Sequence, residues 1–96
     1  MIIVVRGQRS SGKTTFAKEL QSKMSHSILL DGDDIRASIS TDLGHSKKDR
    51  TTNNIRVAKL AKVLEDQGFP VIVAMICPDY VKQEVYWITG CKFIEL

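Results

Sequence analysis

The sequence has few cysteines, few aromatic residues and no long apolar run. Its two cysteines, Cys77 and Cys91, match no metal-binding spacing and suggest no disulfide framework. The apolar run at residues 1–5 is too short for a signal peptide, and no stretch approaches the roughly 20 apolar residues that a membrane span needs. These absences favour a reduced, cytoplasmic protein with no membrane partner.

The chain also lacks a strong excess of charge of one sign. Lys and Arg number 14 against 11 Asp and Glu, which gives a net charge of +3 over 96 residues. No dense Lys/Arg run is present, so nucleic acid is not expected as a partner, and the pair Lys47-Lys48 is interpreted as the solvated start of a helix. The length indicates one domain, residues 1–96, and the mild positive charge suits a small anionic ligand.

Short apolar runs rich in β-branched residues alternate with helical patterns along the chain. Such runs, bounded by glycine, proline or aspartate, are typical of buried parallel strands. The helical segments carry apolar residues at helical spacing. The predicted strands are residues 2–5, 27–30, 71–76 and 93–96, and the predicted helices are residues 13–24, 33–39 and 79–89 and the long segment between Ser46 and Gly68.

This alternation predicts the fold class. Right-handed crossovers between parallel strands place helices on the faces of the sheet. The expected fold is α/β, a three-layer α/β/α fold with a mostly parallel sheet. The phosphate-binding pattern G-x-x-x-x-G-K-[ST] at residues 7–14 makes the P-loop NTPase type the expected one. Ser46 and Asp49 have the spacing of a capping box, which marks the start of the long helix.

The segment from Gly7 to Thr14, GQRSSGKT, matches the phosphate-binding pattern G-x-x-x-x-G-K-[ST]. Glycines let backbone N–H groups wrap an anion closely, and the helix that follows adds partial positive charge at its N-terminus. We expect Lys13 to bridge the β- and γ-phosphates of ATP and Thr14 to offer its hydroxyl to Mg²⁺. The predicted nucleotide-binding residues are Gly7, Ser10, Ser11, Gly12, Lys13, Thr14 and Thr15.

The alternative for this segment is a glycine-rich turn without a ligand. The pattern follows a predicted strand and opens a predicted helix, which is the context that a phosphate loop requires. Two neighbouring basic residues, Arg6 and Arg9, could add to the field that attracts an anion, but solvated surface positions are expected for both.

A second polar cluster, Asp31 to Arg36 (DGDDIR), follows the second predicted strand. The carboxyl ends of parallel strands meet at one edge of a sheet, so this cluster should lie beside the phosphate loop. A carboxylate of this cluster could hold Mg²⁺ through water or accept a proton from an attacking hydroxyl, and Arg36 could pair with a phosphate or sulfate. The alternative is an Asp-Gly turn followed by a helix cap with solvated charges.

Taken together, these motifs resemble the adenylylsulfate kinase family. The resemblance rests on the phosphate loop, on D-G-D-D-I-R at residues 31–36, on L-G-H-S at residues 43–46 and on D-R-T-T-N at residues 49–53. It extends through residues 58–68 to the strand that ends at Cys77 and Pro78.

The resemblance implies that the chain uses Mg-ATP to phosphorylate the 3′-hydroxyl of adenosine 5′-phosphosulfate (APS). It assigns Lys13 and Thr14 to ATP and Mg²⁺, and it places Asp31 and Asp33 near the metal and the attacking hydroxyl. The implied catalytic residues are therefore Lys13, Asp31 and Asp33. The implied metal ligands are Thr14 and Asp31. It further implies a homodimer. The implied substrate-binding residues are Asp33, Arg36, His45, Arg50 and Asn53.

Several positions depart from the family pattern. Ser10 stands where the family has a glycine, and His45 replaces the aromatic residue that stacks on the substrate adenine. Ile55 precedes Arg56 where the family has two arginines, and the resemblance implies that His45 and Ile55 lie in the acceptor region, where they could alter the specificity. Cys77 replaces a serine, and we expect it to be a buried thiol at the end of a strand rather than a nucleophile.

The resemblance also implies a further C-terminal segment that carries a lid over the phosphates, and this sequence stops before it. Because a lid excludes water and completes a catalytic site, much of the reaction rate should be lost without it. Two alternatives to the APS reaction therefore stay open. One is a related small-molecule or nucleotide kinase with another acceptor, and the other is a nucleotide-binding module without catalysis.

Overall fold

A computed structural model describes residues 1–96 of the chain, with strands and helices in strict alternation except for two consecutive helices after the second strand. Every element predicted from the sequence is present, and each boundary lies within one residue or so of the expected one. The elements are β1 (Ile2–Arg6), α1 (Lys13–Lys23), β2 (Ile28–Asp31), α2 (Gly32–Ser38), α3 (Lys47–Asp66), β3 (Val71–Met75), α4 (Asp79–Thr89) and β4 (Lys92–Glu95).

The four strands form one parallel sheet in the order β2-β3-β1-β4. The central strands β1 and β3 pair from Ile2 opposite Val71 to Arg6 opposite Met75. All five residues of β3 are buried, as are the first four of β1. A continuous apolar run fits these positions because helices cover both faces of a parallel sheet.

Two apolar clusters lie on opposite faces of the sheet, and they confirm the three-layer fold. On one face, α1 contributes Ala17 to a cluster with residues from β1 and β3: Ile3, Val5, Ile72 and Ala74. On the other face, helices α2, α3 and α4 pack on the alternate residues of the same strands. The buried helical residues there are Ile35, Val57, Ala58, Ala61, Val81 and Val85.

Helix α3 begins as the capping box predicts, but only half of the box forms. The Ser46 hydroxyl caps the helix by accepting a hydrogen bond from the Asp49 backbone N–H at 3.1 Å. The Asp49 carboxylate does not return to Ser46. Instead it accepts a hydrogen bond from the Gly44 N–H at 2.9 Å, which ties the preceding loop to the first turn of the helix.

Arg6 corrects one expectation from the sequence. Its side chain is 16% exposed rather than solvated, and it forms ion pairs with Asp79 at the start of α4 and with Glu95 of β4. The Arg6 guanidinium holds the pKa of Asp79 below its ordinary value. Arg9 is exposed, as expected. None of the helices is long and apolar enough to cross a bilayer.

Candidate functional site

A cavity of about 550 Å³ opens at the carboxyl ends of β1, β2 and β3. The phosphate loop follows β1 and the acidic cluster follows β2, so the parallel sheet brings both to this edge, as the sequence predicts. Of the predicted site residues, only Gly7 and Ser11 are not part of the cavity wall. Those that line it are Ser10, Gly12, Lys13, Thr14, Thr15, Asp31, Asp33, Arg36, His45, Arg50 and Asn53.

The phosphate loop requires glycine at two positions. A Cβ at Gly7 would lie 2.6 Å from the Ser11 Oγ and 3.2 Å from the Ser11 Cβ, so the Ser11 side chain would have to shift. Gly12 has a φ of +87° and precedes α1 without any side-chain cap. The first backbone N–H groups of α1 therefore have no side-chain acceptor, and residues 13–15 face the cavity with the positive end of the helix.

Ser10 also has a left-handed backbone, with a φ of 64°. A side chain in this conformation costs about 1–2 kcal/mol, whereas glycine adopts it freely. Glycine also loses more entropy on folding, which offsets roughly 0.4–1 kcal/mol of that gain. We therefore expect Ser10→Gly to raise the melting temperature by a few degrees in a thermal unfolding experiment.

His26 provides the matched control for this variant. It has a φ of 61° in the exposed turn after α1, well outside the cavity wall. His26→Gly should give a similar gain in melting temperature. A lower melting temperature for Ser10→Gly alone would contradict this expectation. It would show that contacts of the Ser10 side chain stabilise the loop by more free energy than the left-handed backbone costs.

The Lys13 ammonium is folded onto its own loop, where it donates a hydrogen bond to the Gln8 carbonyl at 2.8 Å. This is a single bond to a neutral acceptor. A phosphate oxygen carries charge and makes a stronger acceptor for an ammonium group. Lys13 is thus held beside the loop and can exchange one partner for an anion without disturbing the rest of the structure.

Asp31 connects the phosphate loop to the acidic cluster. Its Oδ2 accepts a hydrogen bond from the Thr14 hydroxyl at 2.8 Å, and its Oδ1 accepts one from the Asp33 N–H at 2.9 Å, which caps α2. Gly32 permits this arrangement, because a Cβ there would lie 2.8 Å from the Met75 Cβ of β3. Asp33 follows with its side chain exposed at the cavity.

No cluster of three or more Asp, Glu, His or Cys side chains could hold a metal by itself. Mg²⁺ commonly binds through one or two protein groups together with water and phosphate oxygens. Thr14 and Asp31, whose oxygens lie 2.8 Å apart, fit such a partial set of ligands.

Positive charge dominates the cavity wall. Arg9, Lys13, Arg36 and Arg50 line it against the carboxylates Asp31 and Asp33. Such a wall attracts a ligand with several negative charges. The cavity wall also contains Arg36, His45, Arg50 and Asn53, which come from α2, the loop between α2 and α3, and α3.

Sequence reasoning missed Asn54, which also lines the cavity and is 4% exposed. Its Nδ2 donates hydrogen bonds to the Arg50 carbonyl at 2.9 Å and to the Ile76 carbonyl at 3.3 Å, so it ties α3 to the end of β3. The Oδ1 atoms of Asn53 and Asn54 are buried without a partner. Two adjacent asparagines inside a long helix were a usable signal, because asparagine has low helix propensity.

Ile55, one of the departures from the family pattern, lies away from the cavity, as does its neighbour Arg56. Ile55 packs against the apolar cluster on the α3 face instead of lining the acceptor region. Arg56 pairs with Asp42 through two hydrogen bonds of 2.8 and 3.0 Å. Of the departures from the family pattern, Ser10 and His45 are the ones that line the cavity.

Cys77 is a buried thiol, as expected from the sequence. Burial raises its pKa to about 11, although the nearby Arg6 acts in the opposite direction. The thiol is therefore protonated near neutral pH, and it lies outside the cavity wall. Both observations exclude Cys77 as a nucleophile of this site.

Comparisons with known proteins identify the family of this chain. A family model for adenylylsulphate kinase matches residues 1–95. The adenylyl-sulfate kinase of Pseudomonas aeruginosa is 42% identical over 81 residues, which cover 80% of this chain and 41% of that protein. The solved structure of the Mycobacterium tuberculosis APS kinase in complex with AMPPNP and APS has a TM-score of 0.78 and 32% identity, and the match covers 98% of this chain and 59% of that one.

A hexameric APS kinase from Thiobacillus denitrificans has a TM-score of 0.81 and 28% identity, with 98% of this chain and 21% of that one covered. The chain thus spans between about a fifth and three-fifths of the length of these three relatives. The family model matches nearly every residue, and the relatives share the fold that positions the cavity. On this evidence, the chain belongs to the adenylylsulfate kinase family.

Proposed function

We propose that this chain binds Mg-ATP and APS and transfers the γ-phosphate of ATP to the 3′-hydroxyl of APS. The observation that carries the proposal is that one cavity is lined both by the phosphate loop and by Arg36, Arg50 and Asn53. A phosphotransferase needs these two binding regions to face each other, because the attacking and leaving oxygens lie roughly in line.

The phosphate loop would hold the nucleotide. Backbone N–H groups at the start of α1 would bind phosphate oxygens, and the Lys13 ammonium would leave the Gln8 carbonyl for them. Thr14 and Asp31 would contribute ligands to Mg²⁺, which neutralises charge on the phosphates when it is bound. Each of these groups is already in the cavity wall.

The part of the cavity wall formed by α2, α3 and the loop between them would hold the acceptor; we call it the acceptor side. Arg36 and Arg50 suit the phosphosulfate group because planar guanidinium groups bind such oxyanions through paired hydrogen bonds. His45 would stack on the adenine, and the buried Asn53 Oδ1 would accept a hydrogen bond from a ligand donor. Asp33, exposed at the cavity, would accept the proton of the attacking hydroxyl.

The experiment combines calorimetry with Mg-ATP and with APS and a product assay with both present. The proposal expects both ligands to bind and the 3′-phosphorylated product to form. Binding of APS without turnover would instead support a nucleotide-binding module without catalysis.

Absence of APS binding together with tight Mg-ATP binding would favour a kinase with another acceptor. His45 motivates this second alternative, since it faces the acceptor side of the cavity in place of a larger aromatic residue. A screen of phosphate- and sulfate-bearing acceptors would then identify the substrate class.

A cytoplasmic location and a homodimer go with the proposed function, and both stay predictions. Light scattering of the purified chain measures the oligomeric state directly.

A further inference from the structure

The loop between α2 and α3, residues 39–46, carries His45 to the cavity. It contains no helix or strand, and its internal backbone hydrogen bonding is limited to one bond from the Leu43 N–H to the Ser40 carbonyl at 3.1 Å. A segment with so few bonds of its own samples many conformations unless other parts of the protein hold it. His45 is exposed, so packing does not fix its position.

Two side chains hold the backbone of Gly44 from opposite sides. The Asp49 Oδ2 accepts a hydrogen bond from the Gly44 N–H at 2.9 Å, and the Arg36 Nη1 donates one to the Gly44 carbonyl at 2.7 Å. We call this set, Arg36, Gly44 and Asp49, the Gly44 clasp. It fixes the peptide groups on both sides of Gly44, and the second of these leads directly into His45.

The clasp also couples two elements of the cavity. Arg36 belongs to α2 and Asp49 to the first turn of α3, so the clasp spans the two helices that flank the loop. Arg36 and His45 line the cavity, whereas Asp49 does not. A Cβ on Gly44 would lie 3.2 Å from the Asp49 Oδ2, so the contact leaves little space for another residue.

We propose that Asp49 is a positioning residue for the acceptor side of the cavity. By holding Gly44, it keeps His45 and Arg36 in the arrangement that receives the acceptor nucleotide, and it does so without touching the ligand. This inference rests on the proposed function, because it takes the acceptor to be APS. Without the clasp, only a fraction of the molecules would hold His45 in the binding arrangement. The apparent association constant for the acceptor would then be the intrinsic one multiplied by that fraction.

The test compares Asp49→Asn with Asp49→Leu in the full chain. Both variants remove the same negative charge from the first turn of α3, but only asparagine keeps an oxygen that can accept the Gly44 N–H. We expect Asp49→Leu to weaken APS binding about tenfold by calorimetry and to leave Mg-ATP binding within about twofold. Asp49→Asn should restore APS binding to within about threefold of the unmodified chain.

Ser46→Ala is the control for the stability of α3. It removes the helix cap, whose Oγ accepts the Asp49 N–H at 3.1 Å, but leaves the Asp49 carboxylate in place. We expect it to lower the melting temperature without the selective loss of APS affinity. Equal losses in Ser46→Ala and Asp49→Leu would overturn the proposal, because a frayed helix would then explain both.

Hydrogen exchange of the Gly44 amide is an independent measurement of the clasp. The amide should exchange slowly in the unmodified chain and in Asp49→Asn, and rapidly in Asp49→Leu. Unchanged exchange in Asp49→Leu contradicts the positioning role even if the proposed function is correct. If the unmodified chain binds no APS, the proposed function fails, and the exchange comparison alone then decides whether Asp49 positions Gly44.

Discussion

Replacing Lys13 with alanine should strongly reduce phosphate transfer and weaken Mg-ATP binding about 10- to 100-fold. The lost interaction is a charge-assisted hydrogen bond to phosphate, and such bonds contribute about 1.5–3 kcal/mol. The reaction rate should fall by roughly a further 100- to 1000-fold, because the ammonium also stabilises charge that develops during transfer. Calorimetry with Mg-ATP and a product assay measure the two effects separately.

The control is Lys18→Ala. Lys18 lies on the same helix α1, is exposed and does not line the cavity, so the variant removes an identical charge from the same element. Both variants should keep the melting temperature of the unmodified chain to within a few degrees. Lys18 is exposed, and Lys13 makes a single hydrogen bond, to the Gln8 carbonyl of its own loop. Equal loss of binding in both variants would mean that overall charge, and not the phosphate loop, attracts the nucleotide.

Replacing Asp31 with asparagine should reduce phosphate transfer by about 100- to 1000-fold while α2 stays folded. Asparagine keeps an oxygen for the Asp33 N–H, which Asp31 accepts at 2.9 Å, but it removes the carboxylate that receives the Thr14 hydroxyl. Mg²⁺ prefers a carboxylate to a neutral amide. The gain in ATP affinity on addition of Mg²⁺ should therefore shrink, whereas ATP binding without Mg²⁺ should be unchanged or slightly tighter.

Asp34→Asn is the matched control for this variant. Asp34 lies in the first turn of the same helix and is exposed, but it does not line the cavity. Titrating ATP at several Mg²⁺ concentrations compares the two variants. An unchanged Mg²⁺ dependence in Asp31→Asn would contradict the proposed metal ligand and would leave Asp31 as a helix cap.

The strands and helices could be predicted from the sequence because their signals are local. Apolar β-branched runs such as residues 71–75 stop at proline or glycine, and the phosphate pattern marks the start of α1. The location of the site followed from one further rule, that parallel strands deliver their carboxyl ends to the same edge. The motif for the phosphate loop and the acidic cluster at Asp31 therefore identified the cavity before its geometry was known.

Contacts between distant residues could not be predicted in the same way. In the sequence, Arg6 is a basic residue beside the phosphate loop that is expected to be solvated. Its ion-pair partners, Asp79 and Glu95, lie near the other end of the chain, so the sequence does not show that they meet Arg6. The capping-box pattern gave the start of α3 but not the contact of Asp49 with Gly44, because a carboxylate at that position can reach either backbone group.

The faces of α3 needed the structure as well. Residues that follow one another in a helix point about 100° apart, so the motif ending at Asn53 does not show which neighbour shares its face. Asn54 turns toward the cavity, and Ile55 turns into the apolar cluster. The sequence alone assigned Ile55 to the acceptor region and overlooked Asn54.

The strand order has a consequence for how this site can change. Because β3 lies between β1 and β2, the ends of β1 and β2 are two strand spacings apart, or about 10 Å. The phosphate loop follows one of these ends, Asp31 lies at the other, and the end of β3 lines the cavity between them. Backbone hydrogen bonding, and not any side chain, sets that width. Substitutions of cavity-lining side chains can change which acceptor binds, while the distance between the ends of β1 and β2 stays constant. A change of acceptor would therefore leave the phosphate loop in place.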